Sequence, residues 1–506
     1  MKNKFYITSA IPYVNAQPHI GHAQEFTEAD SIARYHRLLG EDVLYLTGSD
    51  ENALKNVQAA EKVGREVQEF VDENAKIFQK LFADLNIAVD VFQKGSDQKV
   101  HFPSSQKLWE LCNKNGDIYK KEYKGLYCVG CETFYERNEL DENGECLEHP
   151  GKKLEEVSEV NYFFKLSKYQ DQIRELIEKD TINIIPEFRK NEVLSFLKQP
   201  LHDISISRSN ERAKNWGVPV PGDPSQRIYV WFDALNIYQS GIGFGTDDTN
   251  YKKWWPADVH VIGKGIIRFH AVYWPAFLLS AGLSLPKELF VHGYITVDGK
   301  KMSKSVGNVV DPFTLIDRYG VDAVRYYLLR EIPSYGDGDY SERRFKEVYN
   351  ADLANGLGNL VARVAKLAEQ TKIDVRHSEF ISESKTSGGN KILKWIRQDH
   401  HPEFTEGQVQ DDRKYELFHS LLINYRFNEA LEFIWKLISD ADRYVNDTKP
   451  WKTTGEKREN DLNHLINRVL EITSLLQPFL PETAEKIQKQ FSGEIKAGKP
   501  LFPRIS

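Results

Sequence analysis

Two short motifs, far apart in the chain, contain the residues best suited to chemistry. The first, Pro18–His22 (PHIGH), places His19 and His22 where an amphipathic segment begins, and the second, Lys301–Ser305 (KMSKS), supplies two lysines. Imidazoles in the first turn of a helix lie beside unpaired backbone N–H groups and can donate hydrogen bonds to a phosphoryl group. Lysines reaching the same phosphates would neutralise further charge. Together the motifs predict electrostatic catalysis at a nucleoside triphosphate, without a covalent nucleophile.

Each motif has a simpler explanation when it is taken alone. Polar histidines are common at exposed helix starts, and a lysine-rich stretch after Asp298–Lys300 is typical of a solvated hairpin turn. Their occurrence together, in this order, favours the catalytic interpretation. The rival phosphate motif, a P-loop, is absent, because Gly293–Lys300 has the wrong glycine spacing and Lys301 stands where Ser or Thr is required.

A second group of residues has the spacing of a metal site. Cys128 and Cys131 form a CxxC pair, and Cys146 and His149 form a CxxH pair after fourteen further residues. Two such knuckles supply the four ligands of a tetrahedral zinc ion, and a site filled by protein ligands is structural rather than catalytic. Incidental cysteine pairs and a redox-active CxxC are the alternatives. Cys112 lies outside both knuckles and is predicted to be a buried thiol.

Length and composition set limits on the fold and the partners. With 506 residues and 41% hydrophobic content, the chain is expected to form two or three domains. The net charge of −7, with no strongly basic block, gives no sign of DNA binding and requires any RNA contact to use local patches and aromatic stacking. No apolar run has membrane-spanning length, and the first residues leave no room for a targeting peptide. We expect a cytoplasmic protein with reduced cysteines.

The segments on either side of the two motifs have the sequence pattern of a parallel sheet. Residues 5–8 and 43–46 have the composition of buried strands, and residues 21–39 that of the helix between them. This order predicts a doubly wound, Rossmann-type α/β sheet, in which ligands bind beyond the carboxyl ends of the strands. Strands at 259–262 and 289–291 are predicted to complete the sheet.

Composition also divides the chain into four segments. A Gly-, Cys- and charge-rich stretch interrupts the sheet pattern, and helical periodicity dominates after the sheet ends. Residues 1–97 are predicted to form the first half of the nucleotide-binding fold, and residues 98–226 an inserted domain with the zinc knuckle. Residues 227–340 are predicted to form the second half of the fold, with the KMSKS loop, and residues 341–506 an all-α domain. A polar stretch within the last segment, at 377–412, is predicted to be a loop or linker.

Further short segments strengthen the nucleotide interpretation and indicate a family. They are Ala10–Tyr13 (AIPY), Thr47–Glu51 (TGSDE), Tyr127–Cys131 (YCVGC), Trp216–Pro219 (WGVP), Val230–Leu235 (VWFDAL), Ile262–Lys264 (IGK), Phe269–His270 (FH), Asn359–Arg363 (NLVAR) and Lys449–Trp451 (KPW). With the two motifs, they resemble methionyl-tRNA synthetases, within the class I aminoacyl-tRNA synthetases, over nearly the whole chain. The resemblance implies that ATP and methionine, with Mg²⁺ assisting, form methionyl-adenylate, and that the methionyl group then passes to the 3′ end of methionine tRNA.

The resemblance also implies roles for individual residues. His19 and His22 would stabilise charge on the α-phosphoryl group, and Lys301 and Lys304 would stabilise the β- and γ-phosphates. The remaining ATP contacts would come from Gly21, Gly263 and Ser303. The ammonium group of methionine would bind Asp50 and the segment Ala10–Ile11. The pocket for the thioether side chain would consist of Tyr13, Trp231, Ala234, Leu235, Tyr238, Ile266 and His270. The CAU anticodon would be read by Asn359, Arg363 and Trp451.

Three places depart from the family pattern. Asn52–Ala53 stands where many members have His-Gly, and Leu235 replaces a proline found in some. Gly265 replaces an aspartate that usually approaches the ATP ribose, which leaves that contact to other groups, such as the backbone near Gly263. Without the resemblance, Trp231, Tyr238 and Trp451 would be read as packing residues.

Other members of class I are distinguished by features that this chain lacks. Leucyl, isoleucyl and valyl enzymes carry a large editing insertion that segment 98–226 is too short to hold. A cysteinyl enzyme needs a cysteine ligand just before PHIGH, whereas the first cysteine here is Cys112. A synthetase for another amino acid and a non-catalytic tRNA-binding protein on the same fold remain the alternatives. Because the chain ends soon after its last predicted helix, we expect a monomer.

Overall fold

The computed structural model describes residues 3–128, 133–135, 137, 140–147, 151, 153–302, 307–373 and 406–505, with the side chains of 123, 124, 133, 134 and 406–413 left out. Four predicted site residues lie outside this description, namely Cys131, His149, Ser303 and Lys304. Among the helices that are described, none is both long enough and apolar enough to cross a lipid bilayer.

The first part of the chain alternates strands and helices. Its elements are β1 (Lys4–Ser9), α1 (Ile20–Leu38), β2 (Asp42–Ser49), α2 (Leu54–Lys62), α3 (Val67–Asp84) and β3 (Val91–Lys94). The β1 side chains from Tyr6 to Ser9 are buried, as expected for a strand that is covered on both faces. The helix α1 ends just before Gly40, whose φ of 85° suits glycine better than any other residue.

The next part contains two small antiparallel sheets. Its elements are α4 (His101–Lys114), β4 (Ile118–Cys128), β5 (Thr133–Tyr135), β6 (Glu155–Phe164), α5 (Gln170–Glu178), β7 (Asn183–Ile185), α6 (Glu187–Phe196), β8 (Ile204–Ser205), β9 (Ser207–Ser209), α7 (Asn210–Ala213), β10 (Pro219–Val220) and β11 (Asp223–Ile228). The strand orders of the two sheets are β5-β4-β6-β8 and β10-β11-β9.

The chain then returns to strand and helix alternation. The elements are α8 (Val230–Ala234), α9 (Ile237–Ser240), α10 (Asp248–Trp254), β12 (Val259–Gly263), α11 (Trp274–Ala281), β13 (Glu288–His292), β14 (Ile295–Val297), β15 (Lys300–Lys301), α12 (Pro312–Tyr319), α13 (Val321–Arg330) and β16 (Gly338–Tyr340). A π-helical turn, Phe269–Tyr273, leads into α11. Such turns recur at functional sites because they displace side chains from the regular helical positions.

The remaining elements of the described chain are helices. The elements are α14 (Glu342–Val348), α15 (Asn359–Thr371), α16 (Glu406–Ile423), α17 (Phe427–Thr448), α18 (Gly455–Leu476) and α19 (Pro481–Gln490), with a π-helical segment Tyr349–Gly358 and a 3₁₀ turn Pro450–Lys452. The predicted polar loop 377–412 is therefore wrong at its end, because residues 406–412 belong to α16. Burial of Phe418, Leu421 and Leu422 on this helix stabilises it beyond what its polar first turns would do alone.

Six parallel strands form the central sheet, in the order β3-β2-β1-β12-β13-β7. The predicted α/β fold with a parallel sheet is confirmed. The chain runs outward from β1 to β3 on one side and continues through β12 and β13 on the other, so the strand order reverses between β1 and β12. A crevice forms at such a reversal, at the carboxyl ends of the strands. The edge strand β7 comes from within segment 98–226, so that segment also contributes to the central sheet.

A fully buried arginine joins α1 to the helices at the end of the chain. Arg325 on α13 pairs with Asp30 of α1 at 2.8 Å, and its guanidinium also donates to the carbonyl oxygens of Leu85 and Phe479. Because removing one partner from such a buried network leaves an uncompensated charge, the network fixes α1 firmly within the core. The helix that carries the PHIGH motif is therefore anchored to α13.

Candidate active site

Several of the predicted substrate-binding residues lie at the carboxyl edge of the central sheet. The segment that begins at Ala10 follows β1, Asp50 follows β2, and Gly263 ends β12. Tyr13 and Asp50 form an isolated parallel bridge beyond the sheet, and Asp50 N–H donates to the Pro12 carbonyl at 2.9 Å. The loops after β1 and β2 are thereby held side by side at the crevice.

His19 and His22 cap the start of α1 through a reciprocal pair of hydrogen bonds. The Gly21 N–H donates to His19 Nδ1, and the His19 N–H donates to His22 Nδ1, both at 3.1 Å. Since each Nδ1 accepts a hydrogen bond, the proton of each neutral ring resides on Nε2. Burial, with the nearby His19 and His292, lowers the pKa of His22 well below its usual value. A neutral imidazole with its proton on Nε2 is the form that can donate to a phosphoryl oxygen.

The two described ends of the KMSKS loop approach the same turn of α1. The Ile20 N–H donates to the Val310 carbonyl at 3.1 Å, and a Cβ atom built on Gly21 would lie 3.8 Å from Met302 Cε. The same Cβ would lie 3.1 Å from His19 Nδ1, so glycine at this position leaves room for the capping histidine. Lys301 is exposed at the end of β15. The motifs are far apart in sequence but adjacent at this end of the sheet.

A buried ion pair lies beneath this turn. His292 Nδ1 donates to the Gly293 carbonyl at 2.8 Å, and its Nε2 faces Glu25 Oε2 at 2.9 Å. Burial acts to lower the pKa of His292, but the hydrogen bond to Glu25 and the charge of Glu28 outweigh it and raise this pKa to about 9. Two acceptors on one ring require an imidazolium ion, and the charge of this ion is balanced by the Glu25 carboxylate on α1.

At Gly265, where the family usually has an aspartate, the space beside the backbone is filled by the side chain of Tyr294. A Cβ atom at residue 265 would overlap Tyr294 Oη, and Lys264 Nζ lies 4.7 Å from the centre of the Tyr294 ring. Lys264 also pairs with Asp337 at 2.6 Å. A tyrosine hydroxyl therefore stands over the backbone where the usual aspartate would project.

Aromatic rings form one wall of the predicted methionine pocket. The Trp231 and Phe269 rings stack with centroids 3.7 Å apart and an interplanar angle of 4°, and Tyr13 meets Trp231 edge-on at 6.3 Å. Ala234 and Leu235, at the end of α8, are buried beside them. Stacked and edge-on aromatic faces suit a polarizable thioether, which packs well against rings.

Tyr238 and His270 form a hydrogen-bonded pair within the same region. His270 Nδ1 faces the Ile266 carbonyl at 2.9 Å and must donate to it, so Nε2 accepts from Tyr238 Oη at 2.8 Å. Burial lowers the pKa of His270 to about 4, which keeps the ring neutral. Because both protons are already engaged, this pair offers shape and polarizability to a sulfur atom rather than a spare donor.

The backbone of Ala10 is held by two further residues. Its N–H donates to Glu25 Oε1 at 2.8 Å, and its carbonyl accepts from Thr47 Oγ1 at 3.2 Å. The adjoining Ile11 is half-buried. Glu25 thus connects the loop after β1 to the buried His292.

Two of the four predicted zinc ligands lie within the described residues. Cys128 at the end of β4 and Cys146 are both buried, and their Sγ atoms are 3.3 Å apart. This separation is too long for a disulfide, and it is close to the ~3.8 Å expected between two thiolates on one tetrahedral zinc ion. Cys112 is buried on α4, away from the knuckles, and burial raises the pKa of its thiol to about 12.

The predicted anticodon residues lie in the helical part of the chain. Asn359 and Arg363 are on α15, and the Arg363 guanidinium bridges to Asp442 and Asn446 on α17 at 3.1 and 2.8 Å. Trp451 follows α17 in the 3₁₀ turn and is 47% exposed, one of the larger exposures of an aromatic side chain among the described residues. That exposure suits a stacking surface better than a packing role.

Two residues of the site were not singled out in the sequence. Glu25 and His292 lack a local signal, because they are 267 positions apart in the chain. Phe269 was noted only as part of the family segment Phe269–His270, without a role in the pocket. The Phe269–Tyr273 π-helical turn also breaks the spacing on which a periodicity argument depends.

Comparison with known proteins agrees with this geometry. The model of the family described as class I tRNA synthetases (M) matches residues 5–365. A methionine–tRNA ligase of Thermotoga maritima is 42% identical over 98% of this chain and 76% of the relative, and one of Nostoc is 41% identical over 96% and 89%. The solved structure of Mycobacterium tuberculosis methionyl-tRNA synthetase in complex with methionyl-adenylate superposes with a TM-score of 0.87, at 36% identity, and covers 99% of this chain and 100% of that one. The sheet, the capped histidines, the aromatic pocket and these matches together place the chain in the methionine–tRNA ligase family of class I tRNA synthetases.

Proposed function

We propose that the chain activates methionine with ATP and charges methionine tRNA. The observation that carries this proposal is the placement of the His19–His22 cap and the Asp50–Trp231 pocket along one carboxyl edge of the sheet, where the strand order reverses. A carboxylate bound near Asp50 would then face a phosphoryl group bound at the start of α1. The experiment that tests the proposal is amino-acid-dependent exchange of pyrophosphate into ATP.

Activation would proceed by in-line displacement at the α-phosphorus. An oxygen of the methionine carboxylate forms a bond to this phosphorus, and the bond to the departing pyrophosphate breaks. The Nε2–H groups of His19 and His22 donate to the α-phosphoryl oxygens, while Lys301 and Lys304 stabilise the β- and γ-phosphates as they separate. Mg²⁺ bound to the phosphates would supply further neutralisation of their charge. Positioning and charge stabilisation account for the whole step, since the substrate provides the nucleophile.

Recognition of methionine would rest on two sets of groups. The Asp50 carboxylate and the backbone of Ile11 hold the ammonium group, and the stacked Trp231 and Phe269 rings pack against the side chain. The Tyr238–His270 pair closes the pocket with a neutral surface, because its protons are used internally. The support for this arrangement is the burial and geometry of these side chains at the crevice.

In the second step, a hydroxyl of the tRNA 3′-terminal ribose attacks the methionyl carbonyl carbon, and AMP leaves. The helical part would identify the tRNA through its CAU anticodon, with Trp451 stacking on an unstacked base and Asn359 and Arg363 contacting base edges. A monomeric, cytoplasmic enzyme is part of the same proposal.

Replacing Trp451 with alanine is expected to lower the rate of tRNA charging by about 10- to 100-fold, because base–aromatic stacking contributes roughly 1–3 kcal/mol. Adenylate formation takes place at the sheet edge and is expected to stay at the wild-type rate. The two rates can be measured on one preparation, by charging of cognate tRNA and by pyrophosphate exchange. Trp451→Phe, which keeps an aromatic face, is the matched control and should retain most charging. Equal loss of both activities in the alanine variant would instead assign Trp451 to packing.

We also propose that the knuckles Cys128–Cys131 and Cys146–His149 hold a structural zinc ion. Freshly purified protein is expected to contain about one zinc per chain, and Cys128→Ser should lose the metal and loosen the local fold, since binding and folding are coupled at such sites. Elemental analysis and limited proteolysis measure the two effects. Cys112→Ser, which changes a buried thiol outside the knuckles, should keep its zinc. Zinc well below one per chain in unchelated wild-type protein would contradict the proposal.

A further inference from the structure

A buried carboxylate lies behind the aromatic wall of the pocket. Asp233 is on α8, between Trp231 and Ala234, and is 2% exposed. On one side His101 Nε2 lies 2.9 Å from Asp233 Oδ1, and Ser105 Oγ donates to the same oxygen at 2.7 Å. Both of these partners come from α4. The carboxylate therefore attaches α8 to the helix that packs beneath it.

The second oxygen of Asp233 is bound from the opposite direction. Asn52 Nδ2 donates to Asp233 Oδ2 at 2.6 Å and to the Gly95 carbonyl at 2.7 Å. Because both partners are acceptors, the amide nitrogen must face them. Among the described residues, the buried Asn52 Oδ1 has no hydrogen-bond partner, so the side chain is held through its nitrogen alone.

Asn52 and Asp233 each lie close in sequence to a residue that is proposed to bind methionine. Asn52 is two residues after Asp50, and Asp233 is two residues after Trp231. A single hydrogen bond therefore joins the loop that would bind the ammonium group of methionine to the helix that would bind its side chain. The two segments are far apart in the chain, because the loop with Asn52 follows β2 and the helix with Asp233 precedes β12.

We propose that Asn52 and Asp233 act as a positioning pair that sets the separation between Asp50 and Trp231. The inference rests on the proposed function of these two residues in methionine binding. A hydrogen bond from an amide to a buried carboxylate is short and strong, so it holds the two loops more firmly than their backbone contacts alone. Asn52 itself does not contact the substrate in this account; it acts through the placement of Asp50.

The test is the kinetics of pyrophosphate exchange in Asn52→Ala and Asn52→Asp variants. Loss of the hydrogen bond should raise the KM for methionine by about ten-fold or more. The aspartate variant should have the larger effect, because it places a second carboxylate against Asp233. The KM for ATP should remain near the wild-type value in both. The alanine variant keeps the test valid if the aspartate variant fails to fold.

The matched control is Asn183, whose Nδ2 donates to the Glu288 carboxylate at 2.6 Å at the amino ends of β7 and β13, opposite the crevice. Asn183→Ala removes an equivalent hydrogen bond and should lower the melting temperature without changing either KM. An unchanged KM for methionine in Asn52→Ala, or an equal rise in both KM values, would overturn the positioning role. Absence of methionine-dependent exchange in the wild-type protein would instead overturn the proposed function itself.

Discussion

The His22→Gln variant is expected to form methionyl-adenylate about 100- to 1,000-fold more slowly than the wild-type protein, which is the usual cost of losing one preorganised donor to a developing charge. The change removes the Nε2–H group that would contact the α-phosphoryl oxygens. It preserves the helix start, because a glutamine oxygen at this third helical position can still accept the His19 N–H. The rate can be measured in a single turnover by rapid quench with labelled ATP.

His36→Gln is the matched control, since His36 lies in the last turn of the same helix. It should form adenylate close to the wild-type rate. If His22→Gln also kept the wild-type rate, His22 would have no role at the phosphoryl group. A loss of activity accompanied by a large fall in melting temperature would assign His22 to capping alone.

The Lys304→Ala variant should also slow adenylate formation by about 100- to 1,000-fold, because its charge would matter most as pyrophosphate separates. Lys304 itself lies outside the described residues. The expectation draws on the KMSKS motif and on the approach of Met302 and Val310, on either side of it, to the first turn of α1. Methionine affinity should change little, and equilibrium binding of methionine can be measured beside the single-turnover rate.

Lys300→Ala is the control for this second variant, because Lys300 is an exposed neighbour on β15 with no proposed contact to the phosphates. Its rate should stay near that of the wild-type protein. If Lys304→Ala formed adenylate at the normal pre-steady-state rate, Lys304 would have no role in stabilising the phosphates. If Lys300→Ala lost as much activity, the effect would come from the total positive charge of the loop rather than from Lys304 itself.

The main sheet and its leading helix were predictable because their signals are local. The apolar run at residues 5–8, the start of the helical pattern at Gly21 and the stop at Gly40 predict β1 and α1 to within a few residues of the observed bounds Lys4–Ser9 and Ile20–Leu38. The strands β3 and β7 were not predicted. Each is short, at four and three residues, and lies at an edge of the sheet, so neither has the long apolar run that marks a central strand.

In the candidate site, the residues within motifs were predictable and the distant residues that hold them were not. Residues within motifs, such as His19 and Asp50, were identified from their spacing and from the family resemblance. The partners that hold them were not, because a bond such as Glu25 to His292 or Asn52 to Asp233 depends on how distant segments meet. The family resemblance places Tyr238 and His270 in the pocket for the thioether. Only the geometry shows that the Tyr238 hydroxyl proton is engaged by His270 and the His270 ring proton by the Ile266 carbonyl.

Pyrophosphate exchange into ATP, measured with each of the twenty amino acids in turn, reports which amino acid the crevice activates. We expect exchange that depends on methionine and is weak or absent with the other nineteen, including leucine, isoleucine, valine and cysteine, which other class I enzymes activate. The loss of this exchange in His22→Gln would tie it to the crevice described above. Exchange that depends on a different amino acid, or no exchange with methionine in active, zinc-loaded protein, would contradict the account.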